Sequence, residues 1–239
     1  MGLVTAGAAG VTLHRFFVAP EALDGERFPL PASIERQVRS VLRLADGDRL
    51  VLLPGDGTQA VCRLDGNECV VEERAEVASE PRHRLTIVQA LLKGDALEEV
   101  VQHATEIGVA AFELVVTERC VARQISPRKL QRLRAIAREA AEQSERGIVP
   151  PVSGPAPLRD AFAAGSVLLY ERHAGAGLAR LEPPQRVVIG PEGGFSTAEL
   201  SAAGGAGMSI AGLGPRILRS QTVAVAAAAV ILSRTGDFA

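Results

Sequence analysis

Tryptophan is absent from this 239-residue chain, and one tyrosine and seven phenylalanines bring the aromatic share to only 3%. Recognition of unpaired bases by stacked aromatic platforms is therefore disfavoured. Cysteine is scarce too: Cys62, Cys69 and Cys120 form no CxxC pair and no zinc spacing with histidine, so no metal and no disulfide framework is expected. A reducing cytoplasm is the expected compartment. No run reaches the roughly 18 uninterrupted apolar residues of a membrane span, and no membrane partner is expected. Met1 to Val11 is small and apolar but lacks the basic start and long apolar stretch of an export signal, and reads as an unstructured terminus. Lysine is almost missing, with Lys93 and Lys129 alone among 26 basic residues. Coding bias toward arginine and a use for the forked guanidinium on phosphate both account for that imbalance.

The net charge of −2 excludes a polycation that adsorbs to nucleic acid by bulk charge, so any RNA site is local. Residues 1–80 carry eight arginines against thirteen acids, a balance of −5, and residues 81–239 carry eighteen basic against fifteen acidic side chains, a balance of +3. With 47% hydrophobic and 23% charged residues the composition is that of a globular protein of one or two domains.

From Leu50 the chain alternates short apolar runs with turns: Leu50 to Leu53, Gln59 to Leu64 and Cys69 to Val77, separated by Gly55-Asp56-Gly57 and Asp65-Gly66-Asn67. That is the pattern of a small antiparallel sheet or barrel. Ahead of it, Ser33 to Leu44 has helical spacing, with Ile34, Val38, Val41 and Leu42 on one face and Arg36, Arg39 and Arg43 on the other. The arginine face is either solvated or a phosphate contact. Near Glu80-Pro81 the pattern changes to strands alternating with helices, which places a domain boundary there, 1–80 before 81–239. Strands are expected at Leu85 to Leu92, Val109 to Val116, Ser166 to Tyr170, Arg186 to Ile189 and Met208 to Leu213. Helices are expected at Gly94 to Ile107, with Gly108 as its left-handed stop, and at Pro127 to Ser144, Thr197 to Ala203 and Thr222 to Leu232. The last, rich in Ala and Val, has two apolar faces and is expected to be buried. The fold class is α/β, with a parallel sheet covered on both sides and ligands at the carboxyl ends of its strands.

Two irregular segments stand out. Ile189-Gly190-Pro191-Glu192-Gly193-Gly194-Phe195 follows a strand and precedes a helix cap. Its glycines are either a plain strand-to-helix turn or a means of bringing backbone close to a ligand. It is no dinucleotide fingerprint and no GxxxxGK[ST] loop occurs, which argues against a nicotinamide-dependent oxidoreductase. Leu213-Gly214-Pro215-Arg216-Ile217-Leu218-Arg219-Ser220 puts two arginines beside an apolar pair, and joins the first segment in one site if the two strands are neighbours.

GPEGGFS at 190–196 and LGPRILRS at 213–220, with KGD at 93–95, ATEIGV at 104–109, ERC at 118–120 and EAAEQSERGIVP at 139–150, resemble the RsmE family of ribosomal RNA (uracil-N3) methyltransferases, of the SPOUT class, over nearly the whole chain from His14. The resemblance implies an N-terminal PUA-like β-barrel for RNA and a C-terminal SPOUT α/β domain closed by a deep trefoil knot, although general topology argues against knots. It implies S-adenosylmethionine held by Leu169, Tyr170, Ile189, Gly190, Pro191, Glu192, Gly193, Leu213, Gly214, Ile217, Leu218, Ser220 and Thr222. It also implies a homodimer through the knotted domain, acting on ribosomal RNA or the small ribosomal subunit.

Arg219 and Arg216 are the candidates to stabilise charge developing on uracil. Glu192 and His173 are candidate bases, though Glu192 in such a turn also reads as an acceptor for nearby amides. Arg15, Arg36, Arg39 and Arg43, with Arg119, Arg123 and Arg146, are the candidate RNA contacts. Where the family commonly reads LRTET, this chain has Leu218-Arg219-Ser220-Gln221-Thr222, an amide replacing a carboxylate. That departure keeps open a non-catalytic assembly factor that binds ribosomal RNA with a degenerate site.

Overall fold

The computed structural model describes residues 13–238, so the expectation for Met1 to Val11 lies outside the described residues. The chain forms two compact units that part between Ala78 and Ser79, two residues ahead of the expected boundary. The reason is Glu80, whose carboxylate accepts the Arg146 guanidinium and the Gly147 and Ile148 amides, and so belongs to the second unit.

In the first unit, β1 (His14–Phe17), β2 (Arg27–Pro29), β3 (Arg49–Leu53), β4 (Thr58–Asp65) and β5 (Glu68–Glu76) form a five-stranded sheet in the order β1-β3-β4-β5-β2. The hairpins from β3 to β5 follow the expected runs, and β4 alternates buried and half-buried positions as a one-sided strand must. The sheet is not purely antiparallel, because β1 pairs parallel to β3. Strands as short as β1 and β2 leave little periodicity to read. Phe16, Phe28, Ile34, Val38, Leu50, Leu52 and Leu64 make the core, together with Cys62 and Cys69. Burial pushes the two thiols up to about 12 and about 11, so both stay protonated at neutral pH.

The arginine-bearing helix is shorter than its spacing predicts. Helix α1 (Ala32–Arg36) runs into a wider π-type turn over Gln37–Val41, where the Leu42 amide donates to Gln37 O five residues back. The extra residue per turn rotates the face, so Val41, expected inward, is 66% exposed.

In the second unit, β6 (Thr86–Ala90), α2 (Ala96–Ile107), β7 (Ala111–Val116), α3 (Pro127–Gln143), β8 (Val152–Pro157), β9 (Val167–Leu169), β10 (Arg186–Ile189), α4 (Thr197–Gly205), β11 (Ser209–Ala211) and α5 (Ser220–Arg234) build a six-stranded sheet. Its order is β11-β9-β10-β6-β7-β8 and every pairing is parallel. Gly108 ends α2 at φ 113°, and a side chain there would meet Pro81 Cγ at 2.3 Å, so glycine is required twice over. Helix α5 buries Ala224, Ala227, Ala228, Ile231 and Leu232 but leaves Val223, Val225, Ala226, Ala229 and Val230 half-buried, which corrects the expectation of burial all round. Among the described residues no helix is long and apolar enough to cross a membrane, and no three His, Cys, Asp or Glu side chains converge as metal ligands.

Candidate functional site

A pocket of about 800 Å³ opens at the carboxyl ends of the parallel strands. Five of the six strands supply a wall: Lys93 and Ala96 after β6, Arg119 after β7, Leu169 to Arg172 at the end of β9, Ile189 to Phe195 from β10, and Leu213, Gly214 and Arg216 to Gln221 beyond β11. Parallel strands place their following loops together at this edge, which is why ligands gather there. The two glycine-bearing segments do meet, but not through neighbouring strands, because β9 lies between β10 and β11. Its end thereby becomes the third wall.

The Gly190 to Gly194 turn is held by packing on both sides. A side chain at Gly190 would meet the Phe195 ring at 3.0 Å, and one at Gly193 would meet Arg119 Cβ at 3.1 Å and Arg119 O at 3.3 Å. Gly194 has φ 67° and closes the turn through its amide to Pro191 O. Arg119 donates to Gly193 O, and Glu199 accepts the Glu118 amide while completing the capping box with Ser196. Glu192 accepts the Lys93 amide at 3.0 Å, so its carboxylate ties two loops together. Glu171, which no motif in the sequence singles out, lines the pocket, and its Oε1 would lie 3.4 Å from a side chain at Gly194. Arg172 is 3.9 Å from it.

Behind the pocket lies a buried polar relay. Gln89, fully buried next to the carboxyl end of β6, donates through Nε2 to Ser220 Oγ at 3.0 Å and to Ala90 O at 3.1 Å, and Ser220 Oγ donates to Gly190 O at 2.7 Å. Gln89 Oε1 is buried with no hydrogen-bond partner. An unpaired acceptor of that kind costs about 1–3 kcal/mol. Beyond β11, Tyr170 and Leu178 donate their amides to Ala211 O and Gly212 O, each at 2.9 Å, so the Tyr170 to Leu178 segment wraps the backbone at Gly212.

Twelve of the residues expected to hold the cofactor line the pocket, and so do Arg216 and Arg219. Thr222 is exposed and lies outside the lining because α5 turns its side chain away between Gln221 and Val223. Ile217 is at the rim, 74% exposed. His173 is also outside, its ring packed beside Gly175. The expected RNA contacts divide. Arg36 and Arg43 are exposed, and Arg43 sits past the helix at φ 57°. Arg39 instead turns back to Leu44 O, Asp46 and Gly66 O, and Arg15 donates to Gln59 at 2.8 Å. Arg123 braces the loop after β7 through Thr117 O and Glu118 O, its side chain still exposed. Arg146 is 3% exposed, sealed against Glu80, Thr105 O and Val109 O, and is unavailable to RNA. A charged side chain that bridges three loop ends inside the protein reads in sequence like any surface arginine.

Such a sheet, with a glycine turn and an arginine-bearing loop closing one pocket at its carboxyl edge, defines the class: the RNA methyltransferase domain family matches residues 79–232. The Synechocystis ribosomal RNA small subunit methyltransferase E is 34% identical over 92% of this chain and 78% of its own length, and the Mycobacterium bovis one is 38% identical over 82% and 83%. The chain belongs to the ribosomal RNA small subunit methyltransferase E (RsmE) family. Among solved structures, the family member from Neisseria gonorrhoeae bound to S-adenosyl methionine aligns with TM-score 0.84 at 28% identity, covering 93% of this chain and 98% of that one. A putative methyltransferase from Legionella pneumophila, also with bound cofactor, aligns with TM-score 0.81 at 28% identity, covering 94% and 98%.

Proposed function

We propose that the protein uses S-adenosylmethionine to methylate N3 of a uracil in small-subunit ribosomal RNA, on the assembled subunit. The observation that carries the reading is the pocket itself. Its volume of about 800 Å³ lies within the range of small-molecule sites. Neutral adenine and ribose suit backbone groups and the apolar Leu169, Ile189 and Leu218. Leu169, Tyr170, Ile189 to Gly193, Leu213, Gly214, Ile217, Leu218 and Ser220 would hold it; Thr222 is left out. When bound, the cofactor supplies an electrophilic sulfonium methyl group.

The protein's own part is to favour the uracil anion, because N3 is a poor nucleophile until its proton is lost. Arg219 and Arg216, exposed on the pocket wall, are placed to donate to the uracil carbonyl oxygens as charge develops. Glu192 uses one oxygen on the Lys93 amide to tie two loops together, and Glu171 on the pocket wall is assigned to take the N3 proton. Gln221 lines the pocket as a hydrogen-bonding amide and cannot act as the base. It also favours the second reading, a ribosomal RNA-binding assembly factor that holds the cofactor without transferring methyl groups.

The first unit is read as a PUA-like RNA-binding domain over residues 1–80, with the SPOUT domain over residues 81–239. The wrapping of Gly212 by Tyr170 to Leu178 supports a trefoil knot. The half-buried apolar face of α5 supports a homodimer. The remaining RNA contacts are Arg36, Arg43, Arg119 and Arg123.

Calorimetric titration with S-adenosylmethionine tests the site. The parent is expected to bind, and Gly193→Val to lose binding by tenfold or more, roughly 1.4 kcal/mol, because the branched side chain must displace Arg119 and the turn with it. Absence of binding to the parent at millimolar cofactor would overturn the reading. Mass spectrometry of small subunits and naked ribosomal RNA after incubation then identifies the methylated base and the preferred substrate. For RNA, Arg36→Glu with Arg43→Glu is expected to weaken affinity and to flatten its dependence on salt by about one unit of slope for each phosphate that is no longer neutralised.

A further inference from the structure

We infer that Gln89 is a positioning residue that sets the shape of the cofactor pocket from behind. Gln89 contributes nothing to the pocket lining, yet its side chain reaches Ser220 at 3.0 Å, and Ser220 reaches Gly190 O at 2.7 Å. Those two bonds join three separate pieces of chain: the carboxyl end of β6, the first residue of the glycine turn, and the first residue of α5. Ser220 and Gly190 both line the pocket, so the relay fixes the spacing between its two principal walls.

Stability does not explain a glutamine here. The position is fully buried between Val88 and Ala90 in an interior strand of a parallel sheet, where apolar side chains are the rule. Oε1 finds no donor, so the residue bears a desolvation cost that an apolar side chain of similar length would not. What an apolar side chain cannot supply is the directional bond to Ser220. Ser220 would then keep only the Gly190 bond, and the start of α5 would be free to shift relative to the turn. The amide is retained for geometry at the expense of stability.

This inference rests on the pocket being the S-adenosylmethionine site, and the experiment separates the two. Gln89→Met, Gln89→Leu, Ser220→Ala and the double variant Gln89→Met with Ser220→Ala are compared with the parent by thermal unfolding without cofactor and by calorimetric titration with S-adenosylmethionine. Gln89→Met is expected to unfold at the parent's temperature or above it, yet to bind about tenfold more weakly. Gln89→Leu likewise removes the donor to Ser220 and is expected to weaken binding to the same degree. The double variant is expected to bind no more weakly than the weaker single one, since both substitutions cut one relay. Parent-like affinity in Gln89→Met, a lowered unfolding temperature accompanying the loss, or additive losses in the double variant would overturn the assignment. If Gln89→Met does not fold, Gln89→Leu decides by the same criteria: weaker binding at an undiminished unfolding temperature supports the relay, and any other pattern overturns it. If Gly193→Val also binds like the parent, it is the pocket reading that fails.

Discussion

Arg146→Ala is expected to lower the free energy of unfolding by roughly 3–5 kcal/mol, the largest stability effect of any single arginine in the chain. The guanidinium is 3% exposed, donates to Glu80 at 3.0 Å, and gives two further bonds to Thr105 O and Val109 O at 3.0 and 2.8 Å. Thr105 O, which also accepts the Gly108 amide, lies in the last turn of α2, where the negative end of the helix dipole favours a cation. Truncation takes a charged donor from three acceptors at once and leaves the Glu80 carboxylate, 18% exposed, without its counter-charge. The loss is therefore more than one ion pair. Glu80 would keep the Gly147 and Ile148 amides, so local disruption is expected before global unfolding. Denaturant titration checks the magnitude. RNA affinity, measured where the variant remains folded, is expected to match the parent's; a stable variant that binds RNA weakly would return Arg146 to the RNA surface.

Arg219→Ala is expected to reduce kcat for methyl transfer by about 10²–10³, the scale of losing one preorganised donor to a developing anion. Arg219 stands at the residue before α5, exposed and on the pocket wall, and its backbone carbonyl accepts the Val223 amide. That backbone role survives substitution, so the fold and the start of α5 are expected to persist. Calorimetric affinity for S-adenosylmethionine is expected to stay within about twofold of the parent's, roughly 0.4 kcal/mol. Arg219→Lys is expected to recover only part of the rate, because an ammonium lacks the planar fork that two carbonyl oxygens can share. Single-turnover assays on small subunits separate the step: a parent-like kcat with a raised KM would make Arg219 a binding residue alone.

The alternation of strand and helix beyond Glu80 was legible because β6, β7, β9 and β10 are near-continuous apolar runs and because α2 and α3 carry an apolar stripe, the one with a glycine stop and the other with a serine cap. Gly108 at φ 113° and the Ser196 capping box are local devices that declare themselves in sequence. Strand β8 was not legible: its Val-Ser-Gly-Pro-Ala-Pro run reads as a loop and pairs only because β7 offers a parallel edge. The inward face of the arginine helix was misjudged at Val41, since nothing in the spacing announces a π-type turn. In the site, the glycine turn and the Leu213 to Ser220 loop were visible as unusual segments. Gln89 and Glu171 were not, one hidden in an apolar run and the other in a polar loop.

By itself, then, the amino-acid sequence determined the order of elements, the parallel α/β class of the second unit and the two loops that make the pocket, because periodicity, caps and glycine turns act over a few residues. Only the tertiary structure decided that β9 separates the strands bearing those loops, that Thr222 faces away, and which arginines are bonded inside the protein. Arg146 and Glu80 are 66 positions apart, Arg39 and Gly66 are 27 apart, and Gln89 and Ser220 are 131 apart. Whether a polar side chain is a surface contact or an internal brace depends on partners at that range, and a partner's position exists only once the sheet has brought distant loops to one edge.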